Sequence, residues 1–261
     1  MRFAHVNLPG GDSPILVLVE EERAIPVAAL VPDGPRTIEQ LIAGGDALQG
    51  AVRDAAAAWT GERTPIADVT FAPAVLTPPS IMAVGLNYSA HAGELNLKTD
   101  DTPTVFTLWP NSIAPHEGTT SWSRSLSEAV DYEAELGVII GRPARDVSED
   151  DALDYVFGYT VVNDITARNV QYSEAQWSRA KSFDGFTPVG PYVVTADEVP
   201  DPQDLHIWTV LDGRTMQDAS TGTMVRSVAK LIAHLSHGIT LLPGTLISTG
   251  SPGGSGYSRT P

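Results

Sequence analysis

Two apolar runs about thirty residues apart contain carboxylates that a packed sheet does not accept unaided. Asp131-Tyr132-Glu133-Ala134-Glu135-Leu136-Gly137-Val138-Ile139-Ile140 and Gly158-Tyr159-Thr160-Val161-Val162-Asn163-Asp164 both read as β-strands, rich in apolar and β-branched residues. Glu133 and Glu135 are two apart, so on a strand they project from one face. Buried side by side and unpaired, they repel each other at high cost. A divalent cation removes both problems, and Asp164 at the end of the second strand completes a three-carboxylate oxygen site. All-oxygen ligands favour a hard ion, Mg²⁺ or Mn²⁺, and three protein ligands leave positions for water and substrate. The competing reading is a Glu pair on a solvated strand face.

Other residues could serve such a centre. His91 and Glu94 are three apart after the apolar strand Ile81–Val84, which on a helical turn sets them on one face. A carboxylate oriented on an imidazole raises its basicity, the arrangement wanted for taking a proton from water. The polar stretch Gly93–Pro103 suits a lid. Arg168 and Gln171, also three apart, share a face of the next helix. Lys181 lies in the return to the sheet, where it could bind a substrate carboxylate, act as a base if its pKa is depressed, or, with Arg168, only balance local carboxylates. The loop Gly244–Gly256 lacks the Gly-Lys-Ser/Thr ending of a phosphate cradle. Its amides either hold an enolate or carboxylate oxygen or form a plain turn. His5, His116, His206, His234 and His237 show no ligand spacing and read as packing or surface residues.

The elements that must position these groups form an α+β chain. Pro14–Val19 and Ala24–Val27 read as strands joined by a charged turn, Thr37 opens a short helix, and Asp46–Ala58 forms a longer one. Residues 1–60 make a small unit and 61–80 a Pro-rich linker, which puts the division at 1–72 and 73–261. Past Ile81 short β-rich runs dominate without βαβ alternation, so a mixed sandwich or roll is expected. Asp212-Gly213 marks a hairpin turn, and helices are expected over Thr166–Ser178 and Met224–Ser236.

Composition bounds the function. The chain has 261 residues, 42% hydrophobic and 18% charged, as in a globular protein with ample core. A net charge of −16 argues against nucleic acid, whose binding rests on Lys/Arg contacts to phosphate. No window approaches the roughly 18 apolar residues of a membrane span, and the N-terminus is too short and polar for a secretory signal. Cysteine is absent, which excludes disulfides, thiolate metal sites and a Cys nucleophile. A cytoplasmic protein is the simplest expectation.

Taken in order, these pieces resemble the fumarylacetoacetate hydrolase family. The matching segments are Asn87-Tyr88 with His91 and Glu94, Asp131-Tyr132-Glu133-Ala134-Glu135-Leu136, and Asn163-Asp164-Ile165-Thr166-Ala167-Arg168. Further matches are Gln171, Gln176-Trp177, Lys181-Ser182-Phe183-Asp184 through Pro191, and Thr249-Gly250-Ser251-Pro252. The resemblance covers about residues 80–256 and is nearest to short bacterial members with a small N-terminal unit. It implies a mixed β-roll, a homodimer, and Mg²⁺ held at Glu133, Glu135 and Asp164. It implies action on 2-oxo acids and 1,3-dicarbonyl compounds through metal-stabilised enolates. In the hydrolases the position of His91, oriented by Glu94, activates water. The position of Lys181 contacts substrate near the metal, and those of Arg168 and Gln171 orient it.

Some positions depart from the family pattern. A pocket-mouth Lys of the family is replaced in Phe106-Thr107-Leu108-Trp109-Pro110, so Trp109 suggests a more apolar or aromatic substrate tail. Pro-Gly-Asp becomes Pro243-Gly244-Thr245, and Arg226 stands where an apolar residue is usual. Family members also run on for another strand or two beyond the Gly-rich loop, so part of the sheet or dimer interface is expected to be open here. The leading expectation is Mg²⁺-dependent hydrolysis of a C–C bond in an acylpyruvate or related β-diketone. The alternatives are isomerisation, hydration or decarboxylation of 2-oxo-enedioates on the same site, or a scaffold turned to a bulkier apolar intermediate.

Overall fold

The computed structural model describes residues 1–11, 13–94 and 102–259, without the side chains of His91 and Ala92. Apolar, β-branched runs form β1 (Arg2–Asn7) and β2 (Ile15–Glu20), and a turn with Glu21 and Glu22 at φ of 47° and 59° leads into β3 (Arg23–Pro26). The short α1 (Val27–Leu30) follows. Thr37 caps α2 (Ile38–Ala43), its hydroxyl accepting the Gln40 N–H at 3.2 Å. Next come α3 (Gly45–Ala57), β4 (Thr64–Pro65) and β5 (Thr70–Phe71). The later elements are β6 (Ile81–Gly85), α4 (Ser89–Glu94), β7 (Thr104–Thr107), β8 (Ile113–Ala114), β9 (Val130–Asp131), β10 (Ala134–Ile140) and β11 (Val156–Asn163). After them come β12 (Thr166–Ala167), α5 (Arg168–Ser173), β13 (Thr187–Pro188), β14 (Val193–Thr195), β15 (His206–Leu211), β16 (Arg214–Ser220), α6 (Val228–Ser236) and β17 (Leu246–Ser248).

Two expected helices are shorter in the structure. Thr166 and Ala167 pair with Asp131 and Val130 in the β12–β9 ladder, and Glu174 is extended, so α5 keeps only Arg168–Ser173. In the other, Ser227 caps α6 by accepting the Lys230 N–H, because the preceding backbone at Val225 and Arg226 bonds to Asn87 instead. Asp212 and Gly213, at φ of 50° and 74°, form the two-residue turn of the β15–β16 hairpin as expected.

An 11-stranded sheet runs in the order β4-β3-β2-β1-β14-β11-β10-β17-β6-β7, with β5 on β1. β17 lies parallel to β6, and its other neighbour β10 is antiparallel, which makes the sheet mixed and the fold α+β. Phe3 of β1 stands opposite Val193 of β14, so the strands of residues 1–72 continue the sheet of residues 73–261. One buried cluster accordingly runs from Phe3, Leu18 and Ile25 to Ile81, Ile139 and Leu246. A second joins Val138, Ile140 and Ile247 to Val228, Leu231, Ile232 and Leu235 of α6. Full burial of each such side chain contributes about 1.5–3 kcal/mol.

Strand direction concentrates the chemistry. The parallel pair β6 and β17 end together, Ser248 opposite Ala83. β10 runs the other way and starts there, Gly137 opposite Ser248, while β11 ends opposite its start, Asn163 facing Ala134. Four strand ends therefore deliver Gly85, Ser248, Glu135 and Asp164 to one end of the sheet.

Candidate active site and metal centre

At that end, ligand oxygens from Glu133, Glu135 and Asp164 lie within 4.8 Å of one another, and all three side chains are buried. Glu133 precedes β10, where the chain leaves the β9 ladder, and its carbonyl accepts the Asp164 N–H at 2.9 Å. Glu135 Oε2 accepts the Ser248 hydroxyl at 2.6 Å and the Gly250 N–H at 2.8 Å. Gly250 sits at φ 97°, and a Cβ there would lie 2.7 Å from the Asn87 Cβ, so only glycine brings this amide to Glu135.

Lys181 reaches between the carboxylates. Its ammonium donates to Asp164 Oδ2 at 2.6 Å, Glu133 Oε2 at 2.7 Å and the Thr166 hydroxyl at 2.8 Å. Burial alone would lower its pKa, but Asp164 and Glu133 outweigh that and hold it above the ordinary value, which is not the depressed state of a lysine base. Arg168 is fully buried. Its Nε and Nη2 donate to Asp131 Oδ2 at 2.9 and 2.7 Å, and its Nη1 meets Glu133 Oε1 at 2.7 Å and Gln171 Oε1 at 3.1 Å. Arg168 is thus spent on protein partners: it positions Glu133 and Gln171.

The charges of the site do not balance. Asp131, Glu133, Glu135 and Asp164 face Arg168 and Lys181, four negative charges against two positive. Burial, then the charges of Asp164 and Glu133, push Glu135 well above the usual carboxylate range. Burial also raises Asp164 to about 6, against the opposing pull of Lys181. Its Oδ1 is buried without a hydrogen-bond partner among the described residues. Val84, Gly85, Leu86, Phe106, Trp177 and Ser251 join these carboxylates, Gln171 and Lys181 around a cavity of about 10 Å³, room for one ion or water. Two surplus negative charges, an unpaired carboxylate oxygen and an oxygen-only donor set fit a divalent cation.

The raised carboxyls tie stability to pH. For a carboxyl raised in the folded state, folded chains bind more protons than unfolded ones between the two pKa values. The metal-free protein is therefore most favoured near pH 4 by these groups and loses stability as pH climbs through about 6. A divalent cation supplies the missing charge. At a hundredfold excess over its Kd it contributes about 3 kcal/mol, or roughly 5–10 °C in Tm. The Mg²⁺-induced shift in Tm should be small at pH 5 and largest at pH 8 by thermal denaturation. An equal shift at both would contradict the assignment.

The Gly-rich loop does hold carboxylate oxygens, and they are the protein's own. Gly250 serves Glu135, the Gly254 N–H donates to Glu94 Oε1 at 2.8 Å, and the Gly256 N–H to Asp131 Oδ1 at 2.7 Å. Asn87 ties the same loop to β6, its amide donating to the Thr249 carbonyl at 2.8 Å and the Arg226 carbonyl at 3.0 Å. His91 is on α4 with Glu94, but its side chain lies outside the described residues, as does most of the expected lid. Trp109 does not line the metal cavity: its side chain is exposed, and its backbone N–H donates to the Ser182 hydroxyl. The aromatic wall is Phe106 against Trp177, edge to face at 5.5 Å, with Trp177 seated on Gly85. Asp131, which anchors both Arg168 and the chain end, is a site residue that spacing arguments miss. Its sequence signals are its place two residues before Glu133 and at the head of the family-like segment 131–136.

A mixed sheet with a buried carboxylate triad at one end defines an α+β scaffold whose oxygen donors fit a divalent cation. Residues 80–261 match the family model described as fumarylacetoacetate (FAA) hydrolase C-terminal, and the chain belongs to that family. A Burkholderia multivorans protein whose name assigns it only to the hydrolases is 47% identical over 182 residues, 69% of this chain and 64% of its own length. The chain thus spans somewhat under two thirds of that relative. Maleylpyruvate hydrolase from Sphingobium sp. SYK-6, solved in complex with manganese(II) ion and pyruvate, is 28% identical with a TM-score of 0.81 over 98% of this chain and 90% of its own. The 2-hydroxyhepta-2,4-diene-1,7-dioate isomerase of Mycobacterium marinum is 30% identical with a TM-score of 0.71, covering 98% and 89%.

Proposed function

We propose that the chain is a Mg²⁺-dependent hydrolase, with Mn²⁺ as an alternative ion, that cleaves a C–C bond in an acylpyruvate or related 1,3-diketone. The carrying observation is the buried triad with two surplus negative charges on a one-ion cavity. The related hydrolase solved with manganese and pyruvate supports the same pairing of ion and 2-oxo acid. Glu133, Glu135 and Asp164 hold the cation, which when bound supplies Lewis acidity to adjacent carbonyl and carboxylate oxygens. Lys181 lines the same cavity, and its ammonium contacts a substrate carboxylate near the metal by giving up one of its three bonds to Asp164, Glu133 and Thr166. Gln171 orients substrate at the cavity wall, and Arg168 fixes Glu133. Glu94, held by Gly254, orients His91 to take a proton from water. This reading takes the protein as a cytoplasmic homodimer, with residues 1–72 preceding the catalytic part at 73–261.

His91→Ala should lower hydrolysis of acetylpyruvate by about 10²–10⁴ while Mn²⁺ binding, followed by calorimetry, survives. Unchanged turnover would defeat the role of His91. The isomerase relative favours a second reading on the same centre, isomerisation or decarboxylation of a 2-oxo-enedioate. Product analysis separates them: released CO₂ or a shifted double bond without uptake of water identifies the second.

A further inference from the structure

Gln217, on β16, is a polar side chain with no solvent exposure. All four hydrogen-bonding positions of its carboxamide are filled. Oε1 accepts the Ala134 N–H at 2.9 Å and the Thr209 hydroxyl at 2.8 Å, while Nε2 donates to Ser251 Oγ at 2.7 Å and to the Pro252 carbonyl at 2.8 Å. A backbone N–H only donates and a carbonyl only accepts, so Ala134 and Pro252 fix which way round the amide lies. Taking the amide away leaves a buried N–H and a buried carbonyl unpaired.

These partners stand directly behind the carboxylate triad. Ala134 separates Glu133 from Glu135 in the chain, and its N–H points to the edge of β10 that β17 covers further along. There the Thr249 N–H donates to the Leu136 carbonyl at 3.2 Å. β17 stops at Ser248, and two residues nearer the ligands the Gln217 carboxamide takes the place of a strand partner. The other half of the amide holds Ser251-Pro252. Ser251 lines the ion-sized cavity, and Gly250 just before it gives its N–H to Glu135. One side chain thus braces the carboxylates twice, through the backbone between two of them and through the loop that bonds the second. The brace is anchored outside the main sheet, because β15 and β16 form a two-stranded sheet of their own and Thr209 of β15 ties Gln217 to it.

We propose that Gln217 is a positioning residue of the divalent-cation centre: its carboxamide sets the spacing of Glu133 and Glu135 and seats Ser251 at the cavity wall. The inference rests on the metal-dependent reading above. Ligand oxygens of the triad lie within 4.8 Å of one another, and like charges that close push apart. The amide opposes that spreading by holding Ala134 and the Gly250–Pro252 segment in one frame. It acts through these groups and not as a ligand, as partners behind metal ligands do in general.

Gln217→Met keeps the length of the side chain and removes all four bonds. Its Mn²⁺ affinity, by calorimetry well below the melting temperature, should fall about 10–100-fold. The EPR spectrum of bound Mn²⁺ should broaden as the ligand geometry becomes less uniform. Thr209→Val breaks only the bond to β15, so its Tm should drop slightly while the Mn²⁺ affinity and spectrum stay those of the parent. Gln217→Asn, one methylene short of spanning Ala134 and Pro252, should weaken Mn²⁺ binding in the same direction and decides the matter if Gln217→Met does not fold. Parental Mn²⁺ affinity and spectrum in a folded Gln217 variant would overturn the role. So would an affinity loss in Thr209→Val as large as in Gln217→Met, the mark of a loosened hairpin. Failure of both Gln217 variants to fold would make the amide purely structural and overturn it as well. A parent protein that binds no Mn²⁺ would instead overturn the metal-dependent reading on which the role rests.

Discussion

Glu135→Gln is expected to abolish divalent-cation binding and lower turnover about 10³-fold or more, while making the metal-free protein more stable than the parent at pH 8. The two effects have one cause. Glu135 is fully desolvated beside Asp164 and Glu133, so its charge is costly unless a cation shares the site. A neutral amide oxygen keeps the hydrogen bonds from Ser248 and Gly250 and removes that repulsion. It also removes an anionic ligand from a three-carboxylate set. Lewis-acid stabilisation of several kcal/mol goes with it, and each 1.36 kcal/mol is tenfold in rate. Thermal denaturation with and without Mg²⁺, beside a Mn²⁺ titration, checks both halves. Retained ion affinity, or a metal-free variant less stable than the parent, would count against this account.

Arg168→Met is expected to carry the largest stability loss of any single change at the site. The guanidinium closes the buried charge cluster, bonding Asp131, Glu133 and Gln171 with its whole fork. Without it Asp131 keeps the Gly256 and Tyr257 N–H groups but no counter-charge, and Glu133 retains only Lys181 of the two cations. Breaking a buried pair by removing one partner costs about 3–5 kcal/mol, here roughly 6–20 °C in Tm. Arg168→Lys should recover part of the charge term but not the fork, and so fall between. Denaturant unfolding measures both, and a loss below about 1 kcal/mol for Arg168→Met would show that the cluster is not held this way.

Much of the centre is legible in the chain because burial and charge conflict locally. Glutamates inside apolar, β-branched runs violate the ordinary rule for strands, and that violation raises Glu133, Glu135 and Asp164 as candidates, which the motifs that follow them single out over a solvated strand face. Capping and turn chemistry are equally local, so Thr37 and Asp212-Gly213 can be placed from a few residues each. Lys181 stands out in the sequence but keeps three roles open there, since an ammonium bonded to Asp164 and Glu133 looks in sequence like any lysine.

Tertiary structure alone settles what joins residues far apart in the chain. Asp131 meets Gly256, 125 residues on, and Gly254 meets Glu94 across 160; no window of sequence contains either pair. The expected helix over Thr166–Ser178 is cut short because Thr166 pairs with Asp131 in a ladder that local propensity does not see. The aromatic wall comes from Phe106 and Trp177 rather than Trp109, since β7 register sets Phe106 opposite Ala83 and Trp177, 71 residues on in a loop, packs against it only in the fold. Residue types therefore specify the kind of centre, through the free energy of burying charge. Its partners and its cavity depend on the fold, because hydrogen bonds and packing follow distance in space, not separation along the chain.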